Sequence, residues 1–179
     1  RATLARRAYF DLLGLPPTPK QVEEFVQSDS PKAWAELIET LLSSKHYGER
    51  WGQHWLDVVR YADTTANDGN FVMRYAYLYR NYVIDAFNDD MPYDQFVVEQ
   101  LAGDLIQDQK VDQKVASGYN RLNMTTREGG SQPKEYIAIY LGDRVRNVSG
   151  VWMATTLGCT ECHDHKFDPF TSRDFYSLG

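Results

Sequence analysis

The sequence predicts an all-α domain, built as an irregular multi-helix bundle, and three observations carry that expectation. Apolar residues recur three and four apart through most of the 179 residues, the spacing that gathers them on one face of a helix. Helix-start signals precede several of these stretches, as in Thr18-Pro19 with Gln21 three further on and in Ser30-Pro31. There a hydroxyl caps orphan amides and proline takes the first helical position. Finally, no stretch alternates apolar and polar residues for long enough to make a strand.

In order along the chain, residues 4–13 place Leu4, Ala8 and Leu12 on one helical stripe, and Gly14 with Leu15-Pro16-Pro17 stops it. Thr18 opens a short helix through Val22, Phe25 and Val26, and Ser30 opens another carrying Trp34, Leu37, Ile38, Leu41 and Leu42. Residues 47–62 read as a helix whose apolar face runs Trp51, Trp55, Val58, Ala62, with His54 on its flank, while His46 reads as a residue at the end of the preceding helix. Residues 64–70 are a polar loop. Residues 73–87 set Tyr75, Tyr79 and Tyr82 on one face, and Asp89-Asp90-Met91-Pro92 breaks that helix. The helix expected over 93–105 carries Phe96, Val97, Leu101 and Leu105. A short one covers 111–119, and a polar loop with Arg121, Met124 and Arg127 leads to Gly129-Gly130. Residues 135–157 make the longest helix, with Ile137, Leu141, Val145, Val148 and Trp152 as its stripe, delivering the chain to Gly158-Cys159. Thr171 to Asp174 caps a last turn with Phe175, Tyr176 and Leu178.

Composition bounds the function. Hydrophobic content of 42% and aromatic content of 13% suffice for one domain, 1–179, with a core of its own. A formal net charge of −6 with no basic stripe argues against nucleic acid. No run reaches the ~20 apolar residues that a membrane span requires. The start, Arg1-Ala2-Thr3, has neither an initiator Met nor a signal peptide, and reads as a domain cut from a larger polypeptide. Eight acidic residues between Asp85 and Asp112, against Lys110 alone, form a solvated face that also suits a basic redox partner.

The chemistry is concentrated in Cys159-Thr160-Glu161-Cys162-His163-Asp164-His165, which holds both cysteines and two of the four histidines. Cys-x-x-Cys-His is the attachment pattern of a c-type haem: each thiol bonds one vinyl group and the adjacent imidazole reaches the iron. Three other readings compete. A zinc site using both cysteines, His163 and His165 would crowd four ligands into seven residues, whereas structural zinc sites separate their ligand pairs. A thiol–disulfide redox pair normally follows a strand. Buried structural cysteines leave the histidines unexplained. The expectation is one covalent haem c held by Cys159 and Cys162, with His163 as proximal iron ligand. For the opposite side His54 and Met124 are the candidates, because Met153 and His165 sit too close in the chain to cross over. Arg121 and Arg127 suit the propionates. Thioether attachment occurs outside the bacterial cytoplasm, so a periplasmic or extracellular location comes with this reading.

Longer strings then point to a family. They include Leu12-Leu13-Gly14-Leu15-Pro16-Pro17-Thr18-Pro19, His46-Tyr47-Gly48-Glu49-Arg50-Trp51, His54-Trp55-Leu56-Asp57 and Arg60-Tyr61-Ala62-Asp63. Asp90-Met91-Pro92-Tyr93-Asp94-Gln95-Phe96, Glu99 to Leu105, Glu128-Gly129-Gly130 and Cys162-His163-Asp164-His165-Lys166-Phe167-Asp168-Pro169 complete the set. Together they resemble the planctomycete-type cytochrome c domain of large secreted bacterial proteins. The resemblance implies a haem protein that works beside a second large domain, a further cytochrome or a carbohydrate-binding module. It also makes the Asp-His-Lys-Phe-Asp-Pro turn a clamp on the haem ligand or a small polar site beside it. Three functions follow: extracytoplasmic electron transfer with a redox partner protein or domain; a five-coordinate haem enzyme using peroxide or oxygen in a polysaccharide-linked system; or a non-haem structural or metal-binding module.

Overall fold

The computed structural model describes residues 1–65, 70–126 and 129–179. They form nine α-helices: α1 (Ala2–Leu13), α2 (Pro19–Gln27), α3 (Ala33–Leu42), α4 (Lys45–Val58), α5 (Ala76–Asn88), α6 (Tyr93–Ala102), α7 (Val111–Ala116), α8 (Pro133–Trp152) and α9 (Ser172–Leu178). Three 3-10 turns, Gly103–Leu105, Ser117–Arg121 and Leu157–Glu161, join them. Among the described residues the β structure is a single bridge between Thr64 and Val72. The fold is therefore all-α, as the periodicity predicts.

The caps expected at Thr18 and Gly14 form, but Ser30-Pro31 does not start α3. That helix begins at Ala33 with Lys32 as an N-cap that makes no side-chain bond, and Ser30 Oγ accepts from Lys32 N at 3.1 Å in the turn before it. Thr18 accepts from Gln21 N, and the Gln21 side chain accepts from Thr18 N at 2.8 Å, so α2 starts on a capping box. Gly14 ends α1 at φ 69, and its N–H bonds Phe10 O at 3.0 Å. α4 ends less conventionally: Arg60 takes φ 62, and Tyr61 N reaches back to Leu56 O at 2.8 Å. That left-handed residue closes the helix as a glycine would, and an ion pair to α8 holds its side chain.

The α4–α5 pair is the centre of the bundle, and its packing differs from the stripe expected on α4. Trp51 and Val58 are exposed, and Ala62 lies past the helix end. The closest backbone approach of α4 to α5 is at Gly48 and Gly52, while Trp55 Nε1 also donates to Tyr79 Oη of α5 at 3.2 Å. A Cβ on Gly48 would stand 2.4 Å from Ile84 O, and one on Gly52 3.2 Å from Ile84 Cγ1. Missing side chains let the two backbones approach, and Gly48 N donates to Asn88 Oδ1 at 2.8 Å. Trp55 faces inward beside them. Its ring packs on Phe96 and Trp152, and its Nε1 donates to Gln100 Oε1 at 3.1 Å.

Three further expectations shift. Tyr79 and Tyr82 are core residues, whereas Tyr75 precedes α5 and is exposed. Leu105 and Ile137 are also exposed, because the 3-10 turn after α6 and the first turn of α8 lie at the surface. The long helix stops at Trp152 instead of running into Cys159, with Ala154 at φ 50 turning the chain.

The core is divided. The main cluster gathers Val59, Tyr79, Tyr82, Val83, Ala86, Phe96, Ala116 and Tyr119. Two small clusters pack α1 against α2 and α3. A fourth, of Val145, Leu157 and Phe175 with Leu141 and Phe170, holds α8, the 3-10 turn and α9 together.

Candidate functional site: the Cys-x-x-Cys-His turn

The 3-10 turn Leu157–Glu161 has three residues per turn, so residues three apart point the same way. Leu157 and Thr160 face inward and are fully buried, Leu157 in the fourth cluster, and Thr160 Oγ1 donates to Leu157 O at 2.6 Å. Cys159 and Cys162 are free thiols, and both are exposed. One period thus anchors the turn and presents the two thiols. Cys162 N and His163 N both reach Cys159 O, at 3.3 and 3.4 Å, which winds His163 onto the same turn.

Neighbouring elements brace this turn from two sides. Arg146 of α8 pairs with Glu161, and its side chain lies over Gly142 and Gly158. Tyr176 Oη of α9 donates to Glu161 O at 3.0 Å, and Asp164 Oδ1 accepts from Ser172 N at 2.9 Å. A capping box between Thr171 and Asp174 starts α9, and those hydrogen bonds from Thr171 hold the Asp174 carboxyl below its ordinary pKa.

The two histidines have different tasks. His163 is exposed, and its Nδ1 lies 2.8 Å from Asp164 O. A carbonyl only accepts, so Nδ1 carries the proton and Nε2 keeps a free lone pair toward solvent. His165 turns inward, its side chain 9% exposed. Its Nδ1 accepts from Asp168 N at 2.9 Å and Phe167 N at 3.3 Å, and its backbone N bonds Phe170 O at 2.7 Å. Asp168 Oδ2 also lies 3.3 Å from that nitrogen. With two N–H donors already there, Nδ1 acts as acceptor and the carboxylate is a neighbour only. His165 therefore folds the Asp-His-Lys-Phe-Asp-Pro turn into a clamp. With the histidines engaged in this way, no group of three or more His, Cys, Asp or Glu among the described residues is arranged to hold a metal ion.

The other candidate residues fall elsewhere. His54 sits on the outer face of α4 with Trp51, ring centroids 5.4 Å apart, while Trp55 points into the core. Arg121 and Met124 line a cavity of about 860 Å³ beside Tyr79 and Arg60. Arg127 lies outside the described residues. α8 stands between that cavity and the cysteines. Gly142, Val145 and Ser149 line its cysteine side, where Leu157 N reaches Ser149 Oγ at 3.4 Å. Asp143 and Asn147, on the far side by helical geometry, bind Arg60 (2.8 and 3.0 Å) and Tyr119 Oη (2.7 Å). No described contact links His54 or Met124 to His163.

Sequence reasoning overlooked Leu157 and Thr160, Glu161, and the Asp164–Ser172 bond. The interleaving of Leu157, Thr160 with Cys159, Cys162 at the same spacing was the available signal for the first pair.

An all-α domain that presents an anchored Cys-x-x-Cys-His turn defines the class of this molecule. Over its whole length, residues 1–179, the chain matches the PSCyt2 family, described as a protein of unknown function (DUF1549), and it belongs to that planctomycete-type domain family. No curated protein and no solved structure matches the chain.

Proposed function

We propose that this domain carries one covalent haem c and serves in extracytoplasmic electron transfer. The observation that carries this reading is the turn itself: two exposed free thiols three residues apart, next to an imidazole whose Nδ1 proton is committed to a carbonyl. The donor set fits the group, since each thiol S–H can add across one vinyl double bond with nothing released, and His163 Nε2 is the free nitrogen. Haem so held exchanges single electrons through its iron. Asp164 O fixes the tautomer and orientation of His163, and Leu157 with Thr160 fixes the turn beneath the thiols. Exposure of both cysteines leaves the site open to a partner surface. Among the described residues no helix is long and apolar enough to cross a membrane.

The opposite side of the iron falls to His54 or Met124 in this reading. A second reading leaves it open, as a five-coordinate haem enzyme acting on peroxide or oxygen. In its favour, His54 lies beside Trp51 on α4 and Met124 in the cavity beside Tyr79 and Arg60, apart from the elements that brace the cysteine turn.

One preparation tests both. The chain is produced in a bacterial host with an intact periplasmic haem-attachment system and examined by mass and absorption spectra. Covalent haem with sharp reduced α and β bands, altered by His54→Ala or Met124→Ala, supports electron transfer. A broad high-spin spectrum supports the second reading. Protein without a Soret band overturns both.

A further inference from the structure

The cavity across α8 has chemistry of its own, independent of the cysteine turn. Its volume, about 860 Å³, lies in the range of small-molecule sites. Tyr79, Val115 and Leu122 give it apolar walls, and Met73 and Met124 add flexible, polarisable surface. At the mouth Val72 and Tyr75 are 77% and 67% exposed, apolar surface left open to water.

The charge is one-sided. Four cations, Arg60, Arg74, Lys114 and Arg121, line the cavity, and among the described residues no acidic side chain does. Asp143 neutralises Arg60, but among the described residues Arg74, Lys114 and Arg121 form no ion pair. Three cations with no ion pair among the described residues, around an apolar hollow, favour an anion with an apolar body. Tyrosine faces and guanidinium planes both favour a flat ring. We propose that this cavity binds an aromatic organic anion, a ring system bearing a carboxylate or sulfonate, with the ring against Tyr79 and Leu122 and the acid toward Arg74 and Arg121.

The test titrates the intact chain with anilinonaphthalene sulfonate and with uncharged phenylnaphthylamine, following fluorescence and heat. Saturable one-site binding of the sulfonate is expected, tighter than the neutral ring by at least about tenfold at low salt. Arg74→Ala and Arg121→Ala should each weaken it by about three- to tenfold, while Lys20→Ala, on α2, leaves it unchanged. The Cys159→Ser/Cys162→Ser double variant should bind equally, which separates this site from the haem reading. Equal affinity for the neutral ring, unchanged binding by the two arginine variants, sulfate competing as well as the ring sulfonate, or loss of binding in the cysteine variant would each overturn it. Near-UV circular dichroism checks that every variant is folded, and sulfonate binding that appears only as that signal is lost also counts against the site.

Discussion

Two histidines separated by one residue hold their protons on opposite nitrogens, and the backbone around them is the cause. Asp164 O takes the Nδ1 proton of His163, whereas two amides donate to Nδ1 of His165. His165→Ala removes the acceptor for both amides, at a cost of about 1–3 kcal/mol. Its melting temperature should fall, and, on the proposed haem reading, its haem-to-protein ratio too, and His165→Asn, which keeps an acceptor, should recover part of each. Full haem loading in the alanine variant would show that the clamp is dispensable. At this scale the sequence was most legible where side-chain chemistry speaks alone. Cys159, Cys162 and His163 are read from type and spacing. His165 escaped because its partners are backbone amides, whose positions depend on the folded turn. His54 was placed among tryptophans correctly for Trp51 and wrongly for Trp55, since the helix rotates the two onto different surroundings.

Helices reveal where hydrophobic periodicity misleads. The apolar stripe of α4 points to its large residues, and Trp55 does reach α5, but the closest approach of the two helices is made by Gly48 and Gly52. Gly48→Ala would drive a methyl to within 2.4 Å of Ile84 O and 2.6 Å of Asn88 side-chain atoms. Backbone cannot yield cheaply there, so a loss of about 1–3 kcal/mol is expected. Gly52→Ala meets only a side chain at 3.2 Å and should cost less. Urea midpoints of the two variants measure the difference, and equal midpoints would contradict this account of the pair. Capping signals were more dependable, because a cap is a local bond: Thr18, Gly14 and Thr171 behave as their sequence context predicts. The end of α8 had no such marker: the chain turns at Ala154, between Gly150 and Gly158, with no glycine or proline at the turn itself.

For the molecule as a whole, the all-α class was legible from periodicity, while the partition into separate cores was not, because it depends on which helices meet. The main core is rich in partnered phenols. Tyr79 donates to Gln100 at 2.5 Å, Tyr82 to the buried Glu99 at 2.9 Å, and Tyr119 to Asn147 at 2.7 Å. Burial raises all three above the ordinary tyrosine value of 10.0, Tyr119 to about 12. A raised phenol binds its proton more tightly in the folded chain than in the unfolded one. Stability should therefore hold below pH 10.0 and fall as pH climbs toward about 12. Denaturant titrations across that range check it, and a midpoint independent of pH would refute the linkage. The fourth cluster has a different consequence. Val145, Leu157 and Phe175 share no buried residue with the main core, so the segment after α8 rests on a small core of its own, and its amides are expected to exchange faster than those of the main core. If the turn takes a haem as proposed, opening that one small core would expose the Cys-x-x-Cys-His segment for attachment while the main core stays folded.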